Sequence, residues 1–177
     1  MLENEREGRR KLFLFLEIDS LLRRAELGKK VSAYEFALED FIEVIKLCEL
    51  FPEKNEAVLA SATFSAGECY MSIQNPTHAL VYFTKSRDLL KADLVAQLKS
   101  QGKDFGTQEI EISELLKPSI YDTDRIKALK ANLEDIQVYI DEIENTADKE
   151  KFEKIKAEMQ AQQKQETTDV PVGFGKP

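Results

Sequence analysis

Tryptophan is absent from this chain, histidine occurs once (His78), and 177 residues include only two cysteines, seven glycines and five prolines. Each scarcity removes a class of function. One histidine and two separated cysteines, Cys48 and Cys69, do not supply the three or four clustered ligands of an ordinary zinc site. Both cysteines fall in predicted helices and read as free buried thiols of a reducing compartment, not as a disulfide framework. No apolar stretch approaches the ~20 residues needed to span a bilayer. The run Leu12-Phe13-Leu14-Phe15-Leu16 is short and is followed by Glu17 and Asp19, so it reads as part of a buried first helix and not as a signal peptide. The chain also lacks a nucleophile–base pair, a glycine-rich phosphate loop and a metal cluster, which argues against an enzyme and against a cofactor.

Charge is plentiful. One residue in three is charged and the net charge is −8. The excess lies in two blocks. Residues 31–62 carry two basic and seven acidic groups, and residues 109–145 carry four and ten. Such a surface repels nucleic acid and suits a basic protein partner, although ordinary solubility also accounts for it.

The most informative feature is an internal repeat of 42 residues without a gap. It pairs Ala25 with Gly67, Gly28 with Tyr70, Ala37 with Ala79, Phe41 with Phe83, and Val44 with Ser86. A small residue, a second small residue twelve later, and an aromatic four beyond that form the packing code of a tetratricopeptide (TPR) helical hairpin. Ala25 and Gly67 are expected where the two helices of a hairpin cross, with Ala37 and Ala79 as their small counterparts. Phe41 and Phe83 are the knobs between hairpins. Such hairpins stack into scaffolds that bind other proteins. The usual period is ~34 residues. The extra residues amount to about two helical turns, placed at the end of the second helix and the start of the third.

The expected fold is therefore all-α: TPR-like hairpins closed by a C-terminal capping helix. Residues 1–10 read as a polar extension and 11–98 as two hairpins. Within them the first helix covers 11–28. Ser32 is expected to N-cap the second helix, with Glu35 completing a capping box, and Pro52 limits its end. The third helix runs from Glu56 to Ser72. Asn75-Pro76 marks the start of the long fourth helix, asparagine at N-cap and proline at the first helical position. Residues 99–118 read as a variable loop. Residues 119–146 form the capping helix, whose Ile126, Leu129, Leu133, Ile136, Ile140 and Ile143 alternate three and four apart. Residues 147–177 read as a charged helical extension and a disordered tail.

In TPR stacks the first helix of each hairpin lines the concave groove. Counted from the small residue, the inward positions are Asp19, Leu22, Glu26, Lys29 and Lys30 in the first copy, and Ser61, Phe64, Glu68, Met71 and Ser72 in the second. Glu26 and Glu68 are equivalent. Two carboxylates beside Leu22, Phe64 and Met71 suit a peptide carrying arginine or lysine among apolar residues, because a guanidinium pairs with a carboxylate through two hydrogen bonds. The alternative is that both glutamates are solvated charges. An adaptor that grips a partner's carboxylate terminus would need basic or amide groups where Leu22, Glu26, Phe64 and Glu68 stand.

The stretches Arg24-Ala25-Glu26 with Ala37-Leu38-Glu39-Asp40-Phe41, and Ala66-Gly67-Glu68-Cys69-Tyr70 with Ala79-Leu80-Val81-Tyr82-Phe83-Thr84-Lys85-Ser86, resemble the third and fourth repeats of the SHNi-TPR histone chaperones, the family of nuclear autoantigenic sperm protein. The lengthened period, the helix from Leu133-Glu134-Asp135-Ile136 onward and the tail Val172-Gly173-Phe174-Gly175 are also similar. The resemblance covers roughly residues 12–145 and that tail. It implies binding of histone H3, alone or with H4, a role in histone supply and nucleosome assembly, and a nuclear location. By position it places Glu26 and Glu68, with Leu22, Phe64 and Met71 beside them, in the histone-binding groove. The chain begins where the family's second half begins and lacks the family's long acidic insertion. The expectations that follow are a fragment, a divergent short paralogue, or one subunit of a homodimer that rebuilds a full groove, with a first helix that mediates self-association or docks a partner. A general TPR adaptor without histone specificity is the competing reading.

Overall fold

A computed structural model describes residues 2–50, 56–103, 105, 110–146 and 154, and for residues 2–7 and 146 the helical backbone only. Among the described residues there are six helices and no strand: α1 (Leu2–Lys30), α2 (Tyr34–Leu50), α3 (Glu56–Ser72), α4 (Pro76–Ser100), α5 (Ile112–Leu115) and α6 (Asp124–Thr146). Consecutive long helices pack as antiparallel pairs, α1 on α2, α2 on α3, α3 on α4 and α4 on α6. The break expected at Pro52, the charged extension and the Gly-Phe tail lie outside the described residues.

The 42-residue repeat reappears as geometry at the hairpin turns. Ser32 and Gln74 both adopt φ 59°, the left-handed conformation that ends a helix. Behind Ser32, the Ala33 N–H donates to the Gly28 carbonyl at 2.8 Å and the Ser32 N–H to that of Lys29 at 3.1 Å. Behind Gln74, the Asn75 N–H donates to the Tyr70 carbonyl at 2.8 Å and the Gln74 N–H to that of Met71 at 3.0 Å. Every partner is shifted by 42. Ser32 thus terminates α1 and does not cap α2, whose first helical bond runs from the Ala37 N–H to the Ala33 carbonyl. Asn75 stands where Ala33 does and caps α4 as expected, its Oδ1 accepting from the His78 N–H at 3.3 Å with Pro76 next in line. Gly102, at φ 91°, ends α4 by the same pattern.

Between the turns, the small residues permit close crossings. Ala25, Ala37, Phe41, Ala79 and Phe83 are at most 1% exposed. A Cβ built on Gly67 would lie 2.7 Å from the Phe83 ring, inside any tolerable contact. A Cβ built on Gly28 would lie 3.1 Å from the Ala37 Cβ. Tyr70, the counterpart of Gly28, is half-buried and packs between Tyr82 and His78, both ring centroids 5.1 Å away. The buried Ser86 hydroxyl donates to the Ala60 carbonyl at 2.8 Å, tying α4 to α3. Val44, its counterpart, is simply apolar and buried.

The periodic seam of α6 is buried at all six positions, none above 8% exposed. Ile136, Ile140 and Ile143 join Ala79, Leu80 and Phe83, while Ile126, Leu129 and Leu133 join Leu94, Leu98 and Leu115. Thr123 precedes α6 and its Oγ1 accepts from the Ile126 N–H at 3.4 Å. Lys130 is buried on this helix. Its ammonium donates to the Lys117 carbonyl at 2.6 Å and to Asp122 at 2.7 Å, fastening the loop after α5.

Two features of α1 differ from expectation. The helix starts at Leu2, because residues 2–10 are rich in the straight-chain residues that favour helix. And the Leu12–Leu16 run is not buried: Leu12, Phe13, Phe15 and Leu16 are 57%, 69%, 63% and 53% exposed. The core-facing side of α1 is carried by Ile18 and Ala25, with Leu14, Leu21 and Leu22 packed beside them. Cys48 and Cys69 are buried and free.

These packing differences predict opposite outcomes for one substitution at two sites. Gly8 is exposed and a Cβ there meets nothing within 4 Å, so Gly8→Ala should gain up to ~1 kcal/mol of stability from helix propensity. Gly67→Ala gains the same propensity but forces Phe83 to move, an overpacking cost of roughly 1–3 kcal/mol. Urea denaturation should therefore show Gly8→Ala shifted up and Gly67→Ala shifted down. Burial pushes both thiols up to about 11, so the native protein at pH 8 should present no fast-reacting thiol to a disulfide reagent and both only after unfolding.

Candidate functional site

The inner face of α1 and α3 divides into a polar knot and an apolar cleft. In the knot, Glu26 and Glu68 are neighbours on adjacent helices, and Lys29 stands between them. Its Nζ lies 2.6 Å from Glu68 Oε2 and 4.0 Å from Glu26 Oε1, and 5.8 Å from the centre of the Phe41 ring. Burial lowers the Lys29 pKa, but the hydrogen bond to Glu68 and the charges of Glu68 and Glu26 outweigh it and leave the ammonium above its ordinary value. The two carboxylates thus share an internal cation. Asp19, further along α1, is held by Arg23 at 2.8 Å on its own helix. Leu22 is half-buried against the core between α1, α2 and α3.

Phe64 and Met71 belong to the other zone. The Phe64 ring centre is 5.5 Å from that of Phe83 and 6.0 Å from that of Tyr139 on α6. Tyr139 in turn stacks on Phe83 at 5.0 Å. Met71 packs against the cluster that Ala79, Leu80 and Phe83 of α4 form with Ile136, Ile140 and Ile143 of α6. Both side chains are half-buried, with α6 against them. The fold therefore brings Glu26 together with Glu68, and Phe64 together with Met71, as two adjoining surfaces.

Next to Phe64, α3, α4 and α6 enclose a cleft of about 380 Å³. Its apolar lining includes Ala57, Ala60, Phe64, Leu90 and Ile136, and it also presents the carboxylates of Glu56, Asp93 and Asp135. Asp93 accepts from Arg125 at 3.2 Å. Neither this cleft nor the Lys29 bridge was legible from the repeat. Lys29 is three residues from Glu26, which marks a local pair, but its contact with Glu68 spans 39 positions. Asp93 and Asp135 come from α4 and α6, outside the groove positions.

The described residues contain no group of three or more His, Cys, Asp or Glu side chains placed to hold a metal, and no helix long and apolar enough to cross a membrane. His78 has a structural setting: its Nδ1 is 2.9 Å from Asn75 Oδ1 and its ring stacks on Tyr70. Neither family models, curated proteins nor solved structures match this chain.

The Lys29 bridge makes a prediction with a definite sign. A group whose pKa is raised by folding stabilises the native state below its unfolded pKa of 10.5 and loses that contribution as pH rises through the higher native value. Lys29→Met should therefore cost about 1 kcal/mol at pH 7 and low salt. The gap between wild type and variant should close above pH 10.5 and shrink in high salt, as measured by urea denaturation across pH.

Proposed function

We propose that this protein is a TPR-like helical-repeat scaffold, without catalytic chemistry, that binds histone H3, alone or with H4, and serves histone supply and nucleosome assembly in the nucleus. The observation that carries the scaffold reading is the repetition of packing and turn geometry at a spacing of 42: small residues at the crossings, buried Phe41 and Phe83 between hairpins, and left-handed Ser32 and Gln74 at the turns. Repeated hairpins of this kind present their first helices as one surface, which suits an extended or helical partner. The partner is supplied by the sequence resemblance. The carboxylates of Glu26 and Glu68, and those of Glu56, Asp93 and Asp135 around an apolar cleft, are compatible with a basic segment that also carries apolar side chains.

One observation favours the second reading, a protein–protein adaptor without histone specificity. Lys29 already pairs with Glu68 and stands 4.0 Å from Glu26, which offsets half of the charge of the two carboxylates. A histone arginine at this point must take the place of that ammonium. Two parallel hydrogen bonds from a guanidinium, against single contacts from a lysine, provide the gain.

The discriminating experiment measures binding of the purified chain to H3–H4 and to H3 peptides at low and physiological salt. The histone reading predicts binding that survives physiological salt and weakens at least ~tenfold in Glu26→Lys with Glu68→Lys, the effect of losing charge-assisted bonds. It also predicts that Lys29→Met, which removes the internal competitor, binds at least as tightly as wild type. Absence of binding, or indifference to the double variant, leaves the adaptor.

A further inference from the structure

Away from the Ile18–Ala25 side that faces the core, α1 carries a row of exposed side chains that starts at Leu12 and continues to Val31 in the turn that follows the helix. Leu12, Phe13, Leu16, Leu27 and Val31 are 57%, 69%, 53%, 61% and 66% exposed. At 100° per residue they share one side of the helix with Ser20, Arg23 and Arg24. Isolated exposed apolar residues need no explanation, but two apolar groups on one side of a helix, with a charged centre between them, mark an interaction surface.

The order along the stripe is palindromic. Leu12 and Leu16 lie at one end and Leu27 and Val31 at the other, with the same spacing of four. Between them, Asp19 and Ser20 mirror Arg23 and Arg24. The centre of symmetry falls between residues 21 and 22. A second copy laid antiparallel about a two-fold axis there places residue i level with residue 43 − i. Leu12 comes level with Val31 of the second copy, and Leu16 with Leu27. The Asp19-Ser20 step comes level with Arg23-Arg24, so opposite charges meet at both crossings of the axis. Arg23 and Arg24 are 79% and 70% exposed, within reach of a partner while holding Asp19 and Asp40 of their own chain.

The shapes agree with the charges. At the turn end, Arg24, Leu27, Val31 and Phe36 line a hollow of about 490 Å³. Phe13, the most exposed of the apolar α1 residues on this stripe, comes level with residue 30 of the second copy and on the same side as Val31. Knob and hollow sit on one surface at opposite ends and are exchanged by the two-fold axis. A parallel or head-to-tail contact sets the knobs against one another or leaves a hollow open.

From this self-complementarity we infer that the outer face of α1 pairs with the same face of a second copy of this chain, in an antiparallel two-fold dimer. The contact extends over residues 12–31, about 29 Å of helix, and closes on itself, as an isologous interface does. The stripe adjoins the groove positions along α1 and meets them at Asp19, but it is argued from the outer residues alone and does not rest on the partner proposed above.

The test uses the full chain. Sedimentation equilibrium should give a concentration-dependent dimer. Leu16→Glu with Leu27→Glu substitutes exposed positions, which leaves helical content and melting essentially unchanged. It should raise the dissociation constant at least ~hundredfold, since four central apolar side chains are lost per dimer. Register is read by cysteine cross-linking. Ser20→Cys places two thiols ~5 Å apart along the axis, whereas Arg10→Cys places them roughly 35 Å apart. Cys48 and Cys69 are buried and do not compete. Mild oxidation should link Ser20→Cys into a covalent dimer and leave Arg10→Cys unlinked. A monomer at all concentrations, a dimer indifferent to the double glutamate variant, or linkage of Arg10→Cys in preference to Ser20→Cys would each overturn the inference.

Discussion

Close approach of paired helices is the constraint on which the rest of this structure depends. Two helices approach closely only where one of them presents almost no side chain. Gly67 does so completely, leaving the edge of the Phe83 ring no room for even a methyl group. Ala25 does so in the first hairpin. Once those crossings are fixed, Phe41 and Phe83 fill the space between successive pairs, and the remaining apolar positions follow in register. The turns add a second fixed point, since Ser32 and Gln74 each enter the left-handed region to release the chain from one helix into the next. Neither residue is glycine, so the backbone cost is met by the two hydrogen bonds closed behind each turn.

The α6 helix shows how such a stack ends. It has one apolar seam, laid wholly onto α4 and its neighbours, and the positions between seam residues are mostly exposed. That arrangement covers the apolar side of α4 without creating a new one. It also places α6 against Phe64 and Met71. The inner face is thereby divided into the Lys29-centred polar knot and the apolar cleft. A partner spanning both would meet charge pairing at one end and side-chain burial at the other.

The sequence was most legible where a residue's environment is set by its own helix or by the repeat. The six-residue seam of α6, the Asn75-Pro76 start and the boundaries Glu56 and Ser72 of α3 all rest on local rules. The buried repeat positions rest on a comparison of the chain with itself. Legibility fell where two equally local rules compete. Ser32 fits an N-cap by composition, but the hydrogen bonds closing behind α1 claim it first. It fell further where the outcome depends on distant elements. The apolar run at Leu12–Leu16 has core composition, yet α2 and α3 cover only the Ile18–Ala25 side of the helix. Lys29 differs in charge from its counterpart Met71; Glu26 is a local partner on its own helix, and only the fold brings Glu68 of α3 to it. Lys130, buried by a loop that the repeat does not include, had no signal beyond its place in an amphipathic helix.

The central claim is that the inner faces of α1 and α3 form one binding surface for a basic partner. Hydrogen exchange of the chain with and without H3–H4 tests it most directly, because amide protection locates a surface without substituting any residue in it. The account predicts added protection within residues 19–30 and 56–72, with the α2 amides unchanged. Protection confined to α2, or none anywhere at concentrations where the two proteins co-elute, would contradict it.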